Sequence, residues 1–237
     1  MRTFKNFVYW IFVCCLPILI ITSNIRWGVT SIKVYEYGFA KYQISQITGI
    51  DNEQLSMVAS HLIDYFNAEV DTAQLTVIKA GEEFRIFNER ELIHLQDVQN
   101  LIQLDYMVQW IVSAVMIVCA LVFIVWSNNR IRDICKSILW GTIATLGLMF
   151  FLILWSIFGF EKLFLLFHYL SFSNELWILD PAKDYLIMLF PGPFFYDVAI
   201  WGFIVVFIET LFVGGVAFTM LKLTGKKKLI ADIEAKV

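Results

Sequence analysis

The sequence has few charged residues for its length. Only 16% of its 237 residues are Asp, Glu, Lys or Arg, whereas 59% are hydrophobic, and the mean hydropathy is +0.70. Soluble domains carry roughly 25% charged and roughly 45–50% apolar residues. The composition therefore excludes an ordinary water-soluble domain and indicates an integral membrane protein.

Cysteine and histidine are also scarce, with four and three residues. The cysteines fall in apolar segments or in the predicted cytoplasmic loop, and none lies in a predicted outer loop, which excludes a disulfide framework there. They are Cys14, Cys15, Cys119 and Cys135. The sequence contains no H-E-x-x-H motif, phosphate-binding loop, nucleotide fingerprint or nucleophile elbow. We therefore expect no metal, no cofactor and no nucleic-acid partner.

Four apolar stretches are candidates for membrane-spanning helices, since about 20 residues rising 1.5 Å each cross a core of about 30 Å. Arg2 and Lys5 precede the first stretch as in a secretory signal, but no small-x-small cleavage site follows it. We interpret it as an uncleaved signal-anchor helix. The predicted organisation is the N-terminus with the first span (1–22), the first outer loop (23–106), the second span (107–126), a cytoplasmic loop (127–137), the third span (138–160), the second outer loop (161–197), the fourth span (198–223) and a cytoplasmic tail (224–237).

The distribution of Lys and Arg predicts the orientation of these helices, because flanks rich in these residues stay in the cytoplasm. The N-terminus, the loop 127–137 and the C-terminal segment carry 10 of the 18 basic residues but only three acids. The ten are Arg2, Lys5, Arg130, Arg132, Lys136, Lys222, Lys226, Lys227, Lys228 and Lys236. We therefore predict a multi-pass protein of the cell membrane with both termini in the cytoplasm.

The first outer loop is too long and too varied in composition to be a simple connection, so we expect it to be folded. Alternating apolar residues over 34–42 predict a strand, and Asp51 with Gln54 predicts a capped helix. Two short strands are predicted to turn at Gly81. A second helix is predicted to begin at Asn88, with Glu91 as its capping partner, and to lead into the second span.

The second outer loop is rich in Phe, Tyr and Trp, which collect where lipid meets water. Asp180 followed by Pro181 predicts the start of a helix, and Pro191 predicts its end after Phe190. The predicted fold class is an all-α membrane protein with four transmembrane helices. Its first outer loop is a folded extracytoplasmic unit of two helices and short strands, and its second is interfacial and helical.

All three histidines are predicted on the outer side of the membrane. His94 lies three residues after Glu91 and three before Asp97, a spacing at which a carboxylate can orient the imidazole as a general base. His168 lies in an apolar run at the outer end of the third span, where a polar group is costly unless paired or functional. The alternatives are a solvated helix histidine at 94 and an interfacial anchor at 168. His61 lacks such a setting and is interpreted as structural.

Two segments resemble the signatures of a known family. Residues 87–98 resemble its Glu-x-x-His-x-x-Asp-Val motif, with Glu91, His94 and Asp97 at the matching positions. The second signature is matched by Phe167, His168, Phe172, Asn174, Trp177, Asp180, Pro181, Asp184, Leu189, Phe190, Pro191, Phe194 and Phe195. Helix count and loop sizes agree over essentially the whole chain. The sequence is thus similar to the lipoprotein intramolecular transacylases of low-GC Gram-positive bacteria, four-helix membrane proteins formerly of unknown function.

The resemblance implies an acyltransferase that acts on diacylglyceryl-modified lipoproteins in the membrane lipid. It implies transfer of the sn-2 acyl chain to the α-amino group of the lipoprotein's own N-terminal cysteine, giving a lyso-form lipoprotein, and it implies His94 and His168 as essential residues. We expect His94 to be the base, oriented by Asp97 or Glu91, and His168 to be a second acid/base or an oxyanion donor, with the reverse assignment open. Asn174, Trp177 and Asp180 are expected to line the substrate site.

A non-enzymatic role is the alternative. A membrane sensor or accessory subunit that binds a ligand through its outer loops would explain those loops and leave the histidines incidental. Glu209, in the middle of the fourth span, is likewise open to two interpretations. An intramembrane ionisable residue is often functional, and a hydrogen-bonded packing group is the other possibility.

Overall fold

The computed structural model describes the backbone of residues 2–234 and the side chains of residues 3–225. Among the basic residues used to predict orientation, Lys236 lies outside the described residues, as do the side chains of Arg2, Lys226, Lys227 and Lys228. Along the chain the elements are α1 (Arg2–Thr30), α2 (Ile32–Lys41), α3 (Ile44–Thr48), α4 (Asn52–Phe66), β1 (Thr76–Lys79), β2 (Glu82–Arg85), α5 (Glu89–Trp126), α6 (Arg130–Ser171), α7 (Tyr185–Leu189) and α8 (Gly192–Glu234).

Four of the described helices are long and apolar enough to cross a membrane. The candidate spans are Thr3–Thr30, Glu89–Trp126, Arg130–Ser171 and Gly192–Gly225. The predicted fold class, a helical membrane protein with four transmembrane helices, is confirmed. Since α5 and α6 contain 38 and 42 residues, each is about twice as long as the hydrocarbon core requires. The predicted limits of the spans within these helices stay predictions.

One compact unit comprises the described residues within Met1–Asn24, Met107–Leu154 and Phe203–Val237. It is a bundle of segments from α1, α5, α6 and α8. A Cβ at Gly141 would lie 2.7 Å from Leu16 Cδ2, so the glycine is what lets α1 and α6 approach closely. The Glu209 carboxylate accepts a hydrogen bond of 2.7 Å from Asn24 Nδ2. The side chain is hydrogen-bonded but exposed, so this contact does not identify Glu209 as a packing group.

The other compact unit comprises Ile25–Tyr106 and Trp155–Gly202. Its core brings together apolar side chains from α3, α4, α5, α7 and the segments that join them. The most deeply buried, each at most 1% exposed, are Ile44, Ile50, Leu55, Val58, Ala59, Leu62, Ile86, Leu95 and Leu189. Because residues from both outer loops enter one core, the second loop is held in a fixed position against the first.

Several local predictions for the first outer loop are confirmed. Asp51 caps α4 by accepting a hydrogen bond of 2.9 Å from Gln54 N. The antiparallel pair β1–β2 turns at Gly81, whose φ of +84° favours glycine. Asn88 and Glu91 form a reciprocal capping box, since each side chain accepts from the other's backbone N–H, at 2.7 and 3.1 Å. From this box α5 continues without interruption through the predicted second span.

Two local predictions are wrong. Residues 34–42 were expected as a strand, but 32–41 form α2, which buries Tyr35, Gly38 and Phe39 at helical spacing. The run is so rich in aromatic residues that it also satisfies an alternating pattern, and a helix pairs its backbone groups without a partner strand. The helix expected to start after Asp180 begins instead at Tyr185, after a hydrogen-bonded turn in which Asp184 N donates to Asp180 O at 2.9 Å.

α6 changes direction at Gly159, where φ is −179° and ψ is 53°. The backbone at this residue departs from helical geometry, which produces a kink. The predicted third span ends at residue 160. The kink therefore separates most of that span from the segment that carries His168.

Candidate active site

Glu91 joins the beginning of α5 to the beginning of α7. The side chain is 1% exposed. Its Oε2 accepts from Asn88 N at 2.7 Å, and its Oε1 accepts from Leu186 N at 2.6 Å. A buried carboxylate is tolerated only where its oxygens are satisfied, and here backbone donors of two elements satisfy them. The first predicted motif is thereby tied to the second.

Asp184 adds a second link between the same segments. It is 3% exposed, and its carboxylate accepts from Asn88 Nδ2 at 2.9 Å and from Asp180 N at 2.7 Å. Asn88 therefore contacts a buried carboxylate of each motif. The start of α5, which carries His94 in its second turn, is held by these contacts against the segment that precedes α7.

The structure brings the two predicted histidines together. The ring centroids of His94 and His168 are 6.4 Å apart, and the residues are only 7% and 8% exposed. Phe172 contacts both rings, with its centroid 5.1 Å from His94 and 5.6 Å from His168. Two buried imidazoles this close border one region of the structure, as the groups of a shared site do.

A backbone carbonyl fixes the tautomer of His168. Its Nδ1 lies 2.8 Å from Phe164 O, and a carbonyl oxygen only accepts, so Nδ1 carries the hydrogen. In the neutral ring Nε2 is then the basic nitrogen. The Trp177 ring packs against the imidazole with centroids 4.8 Å apart, and the Phe164 ring lies 4.4 Å from it on another side. Burial among aromatic rings favours the neutral imidazole.

His94 has a different environment. Its Nδ1 is buried and has no hydrogen-bond partner among the described residues. Both carboxylates expected to orient it are engaged elsewhere, because Glu91 binds backbone N–H groups and Asp97 Oδ2 accepts from Asn174 Nδ2 at 2.8 Å. A buried ring nitrogen without a partner is rare in a folded protein, and a catalytic role is one of the explanations for such a group.

The other predicted residues fall into two groups. Trp177 contacts His168 directly, through its ring. Asn174 instead donates to Asp97, which lies one turn after His94 in α5. Asp180 is exposed, accepts from Ala182 N at 3.0 Å and pairs with Lys183 at 3.5 Å. The Ala182 N–H holds the pKa of the Asp180 carboxyl below its usual range, so this group is an anion at neutral pH rather than a proton donor.

Some residues around the site were not selected as site residues from the sequence. Phe164 and Phe172 form walls around the histidines, and Asp184 with Asn88 holds the two motifs together. Asp184 precedes the apolar run of α7, and an acid in that position signals either a cap or a buried network. Its side chain does not cap α7. Instead it accepts hydrogen bonds from Asp180 N and from Asn88 Nδ2. A sequence pattern does not distinguish these two uses.

The chemical groups at the site are two imidazoles, aromatic walls and hydrogen-bonded carboxylates. Within the described residues, no three His, Cys, Asp or Glu side chains are grouped closely enough to hold a metal ion. The third histidine, His61, lies apart in α4 and binds Thr72 O at 2.9 Å through Nε2. An imidazole pair of this kind can accept a proton at one ring and return it from the other.

The comparisons with known proteins agree with one another. The model of the family described as "Lipoprotein intramolecular transacylase Lit" matches residues 10–195. Among solved structures, the chain is similar to the membrane integral lipoprotein intramolecular transacylase Lit from Bacillus cereus, with 20% identity and a TM-score of 0.80 over 97% of this chain and 100% of that one. A variant of that protein with one histidine replaced by arginine is similar at 19% identity and a TM-score of 0.76, covering 95% and 96% of the two chains. No curated protein sequence matches the chain.

Proposed function

The chain belongs to the lipoprotein intramolecular transacylase family, and from that premise we propose that it moves the sn-2 acyl chain of a diacylglyceryl-modified lipoprotein to the α-amino group of the same lipoprotein's N-terminal cysteine. It is accordingly an acyltransferase and a multi-pass membrane protein. In the proposed reaction an N–C bond forms at the ester carbonyl carbon and the C–O bond to the glycerol breaks. The amine loses one proton and the glycerol oxygen gains one.

The observation that carries the proposal is the pair of buried histidines with unlike hydrogen-bonding states. His168 Nε2 is left basic by the Phe164 carbonyl, whereas His94 Nδ1 has no partner among the described residues. We therefore favour His168 as the base, the reverse of the first expectation from the sequence. His94 then donates to the developing oxyanion or to the departing glycerol oxygen.

The amine and the ester belong to one substrate, which reduces what the protein must supply. A well-oriented intramolecular attack gains about 7–11 kcal/mol that a bimolecular reaction spends on association. An amine is nucleophilic only when neutral, and the free α-amino group has a pKa of about 8. A neutral imidazole can remove its proton at physiological pH and return one to the leaving oxygen, so no acyl-enzyme is required.

The aromatic walls suit a lipid substrate. The Phe164, Phe172 and Trp177 rings surround the histidines and exclude water from them. Exclusion of water protects the activated ester from hydrolysis and strengthens the hydrogen bonds of the imidazoles. We place the site on the extracytoplasmic side of the membrane, because the basic residues of the sequence lie mainly on the opposite flanks.

The activity is tested in cells that make diacylglyceryl lipoproteins with a free α-amino group. We expect expression of the chain to convert them to a form with one N-linked acyl chain and one S-linked monoacylglyceryl group, at unchanged total mass. Tandem mass spectrometry of the N-terminal lipopeptide distinguishes these isomers by their fragments. Lipoprotein that keeps a free amine would contradict the proposed reaction.

A further inference from the structure

A cavity opens at the surface of the helix bundle, among residues that the proposed reaction does not use. Its volume is about 770 Å³, within the range of roughly 300–1,000 Å³ found for ligand sites. Segments of α1, α5, α6 and α8 line it. Lys5, Asn6, Asp133 and Lys136 provide polar groups, and Trp10, Trp140, Ile143 and Phe218 are among the apolar ones.

The polar end of the cavity is positively charged. Neither Lys5 nor Lys136 forms an ion pair with a carboxylate in the described part of the chain. Asp133 lines the cavity too, but its Oδ2 accepts a hydrogen bond of 2.6 Å from Ser127 Oγ. Lys222 adds a third positive charge near the rim, since its Nζ lies 4.5 Å from the Phe218 ring centroid. Two lysines against one carboxylate leave the cavity lining with a net positive charge, which favours an anionic occupant.

The helix directions reinforce this charge. Lys5 is in the first turn of α1 and Lys136 in the second turn of α6, so both helices begin at this end of the bundle. The N-terminal end of a helix carries a partial positive charge. The first turn of α1 contains no acid to offset this charge, whereas the first turn of α6 contains Asp133. Tyr9 Oη donates to Lys136 O at 3.2 Å, which fixes the backbone of α6 against α1 beside the cavity.

The apolar wall indicates that the anion carries hydrocarbon. Trp10 and Trp140 line the cavity while remaining 56% and 52% exposed, as is typical of indole rings at the edge of a bilayer. Ile143 and Phe218 add further apolar surface to the wall. We propose that this cavity binds one phospholipid with a net negative headgroup, its phosphate between Lys5 and Lys136 and its chains along the apolar wall.

The proposal is tested by native mass spectrometry of the full chain. The protein is released from vesicles that contain equal amounts of phosphatidylglycerol and phosphatidylcholine. We expect one phosphatidylglycerol to be retained under activation that removes phosphatidylcholine. Since each lysine near an anionic lipid contributes about fivefold, Lys5→Gln with Lys136→Gln should lower this retention about thirtyfold. Lys5→Arg with Lys136→Arg should retain the lipid.

The matched control is Arg130→Gln with Arg132→Gln, which removes two charges near the start of α6 from exposed residues that do not line the cavity. It should leave lipid retention unchanged. If both double variants lose phosphatidylglycerol equally, the proposal is overturned in favour of diffuse surface charge. If the unaltered protein retains the two lipids equally, the proposal is also overturned. A phospholipid held in the candidate active site would survive the double lysine substitution, and that outcome also counts against this cavity.

Discussion

His94 and His168 share aromatic surroundings but differ in what holds their rings. A backbone carbonyl four residues earlier in α6 orients His168, and the same hydrogen bond leaves Nε2 free to accept a proton. His94 sits on α5 with an unpartnered Nδ1. The difference supports unlike roles for two chemically identical side chains.

Replacing either histidine should abolish most of the transfer. Glutamine at position 168 is similar in size to histidine, but it cannot accept a proton at neutral pH. We expect His168→Gln and His94→Gln each to lower the rate by about 10²–10⁴-fold, the usual contribution of a general acid or base. The rate is measured as N-acylated lipopeptide formed per time, by mass spectrometry.

His61→Gln is the matched control, because His61 lies in α4 with its ring bound to Thr72 O. It should retain the rate of the unaltered protein. Full conversion by His168→Gln at normal expression would remove that residue from the proposed mechanism, whatever the effect of His94→Gln.

At the scale of elements, Glu91 couples α5 to α7 through its two carboxylate oxygens. Glutamine has the same shape but presents an amide NH₂ to one of the two backbone N–H groups. We expect Glu91→Gln to lower the free energy of unfolding by about 1–3 kcal/mol, the cost of a buried donor left without its acceptor. The measurement is thermal unfolding in detergent, followed by tryptophan fluorescence.

Glu83→Gln makes the same chemical change at an exposed position of β2. A surface substitution of this kind changes stability by less than about 0.5 kcal/mol. If the two variants unfold at the same temperature, the bridge from Glu91 to α7 contributes nothing to the stability of the fold.

Gly38 lets α2 approach the start of α8. A Cβ there would lie 2.5 Å from Phe194 Cδ2, well inside contact distance. We expect Gly38→Ala to destabilise the protein by about 1–3 kcal/mol, as overpacking of a closely fitted contact does. The unfolding temperature should fall in the same fluorescence assay, and adding Phe194→Leu should restore most of it.

Gly28→Ala provides the comparison, since a Cβ at that position of α1 meets nothing within 4 Å. Alanine favours a helix by about 1 kcal/mol over glycine, so this variant should be as stable as the unaltered protein or more so. A Gly38→Ala protein that unfolds no earlier than Gly28→Ala would contradict the close approach.

At the scale of the whole molecule, the predicted orientation is open to labelling. Glu82 and Asn129 are exposed, the first in the hairpin of the outer loop and the second in the predicted cytoplasmic loop. A membrane-impermeant maleimide applied to intact cells should label Glu82→Cys but not Asn129→Cys. After permeabilisation, both should react.

The unaltered protein, with its four native cysteines, sets the background for this experiment. We expect that background to be low in intact cells, because none of the four lies in a predicted outer loop. Labelling of Asn129→Cys alone in intact cells would invert the topology and place the histidines on the cytoplasmic side.

Much of the architecture could be predicted from the sequence because it depends on local patterns. Uninterrupted apolar stretches identified four helices long enough to cross a membrane, and Asp51 and Asn88 marked helix starts through side chains a few residues away. The strand prediction for residues 34–42 is wrong, because the aromatic residues there fit both a helical and an alternating pattern. Packing determines which of the two forms.

The proximity of His94 and His168 was decided by the tertiary structure, and so was the use of the carboxylates around them. Helical spacing placed Glu91 and Asp97 near His94 along α5, yet their partners are Leu186 N and Asn174 Nδ2, about 80 to 95 residues away in sequence. A buried carboxylate takes whichever donors the fold brings to it, and these came from the second outer loop. The sequence by itself determined a four-helix membrane protein with few polar groups. Only tertiary packing decided which of those groups meet, because that depends on contacts between distant segments.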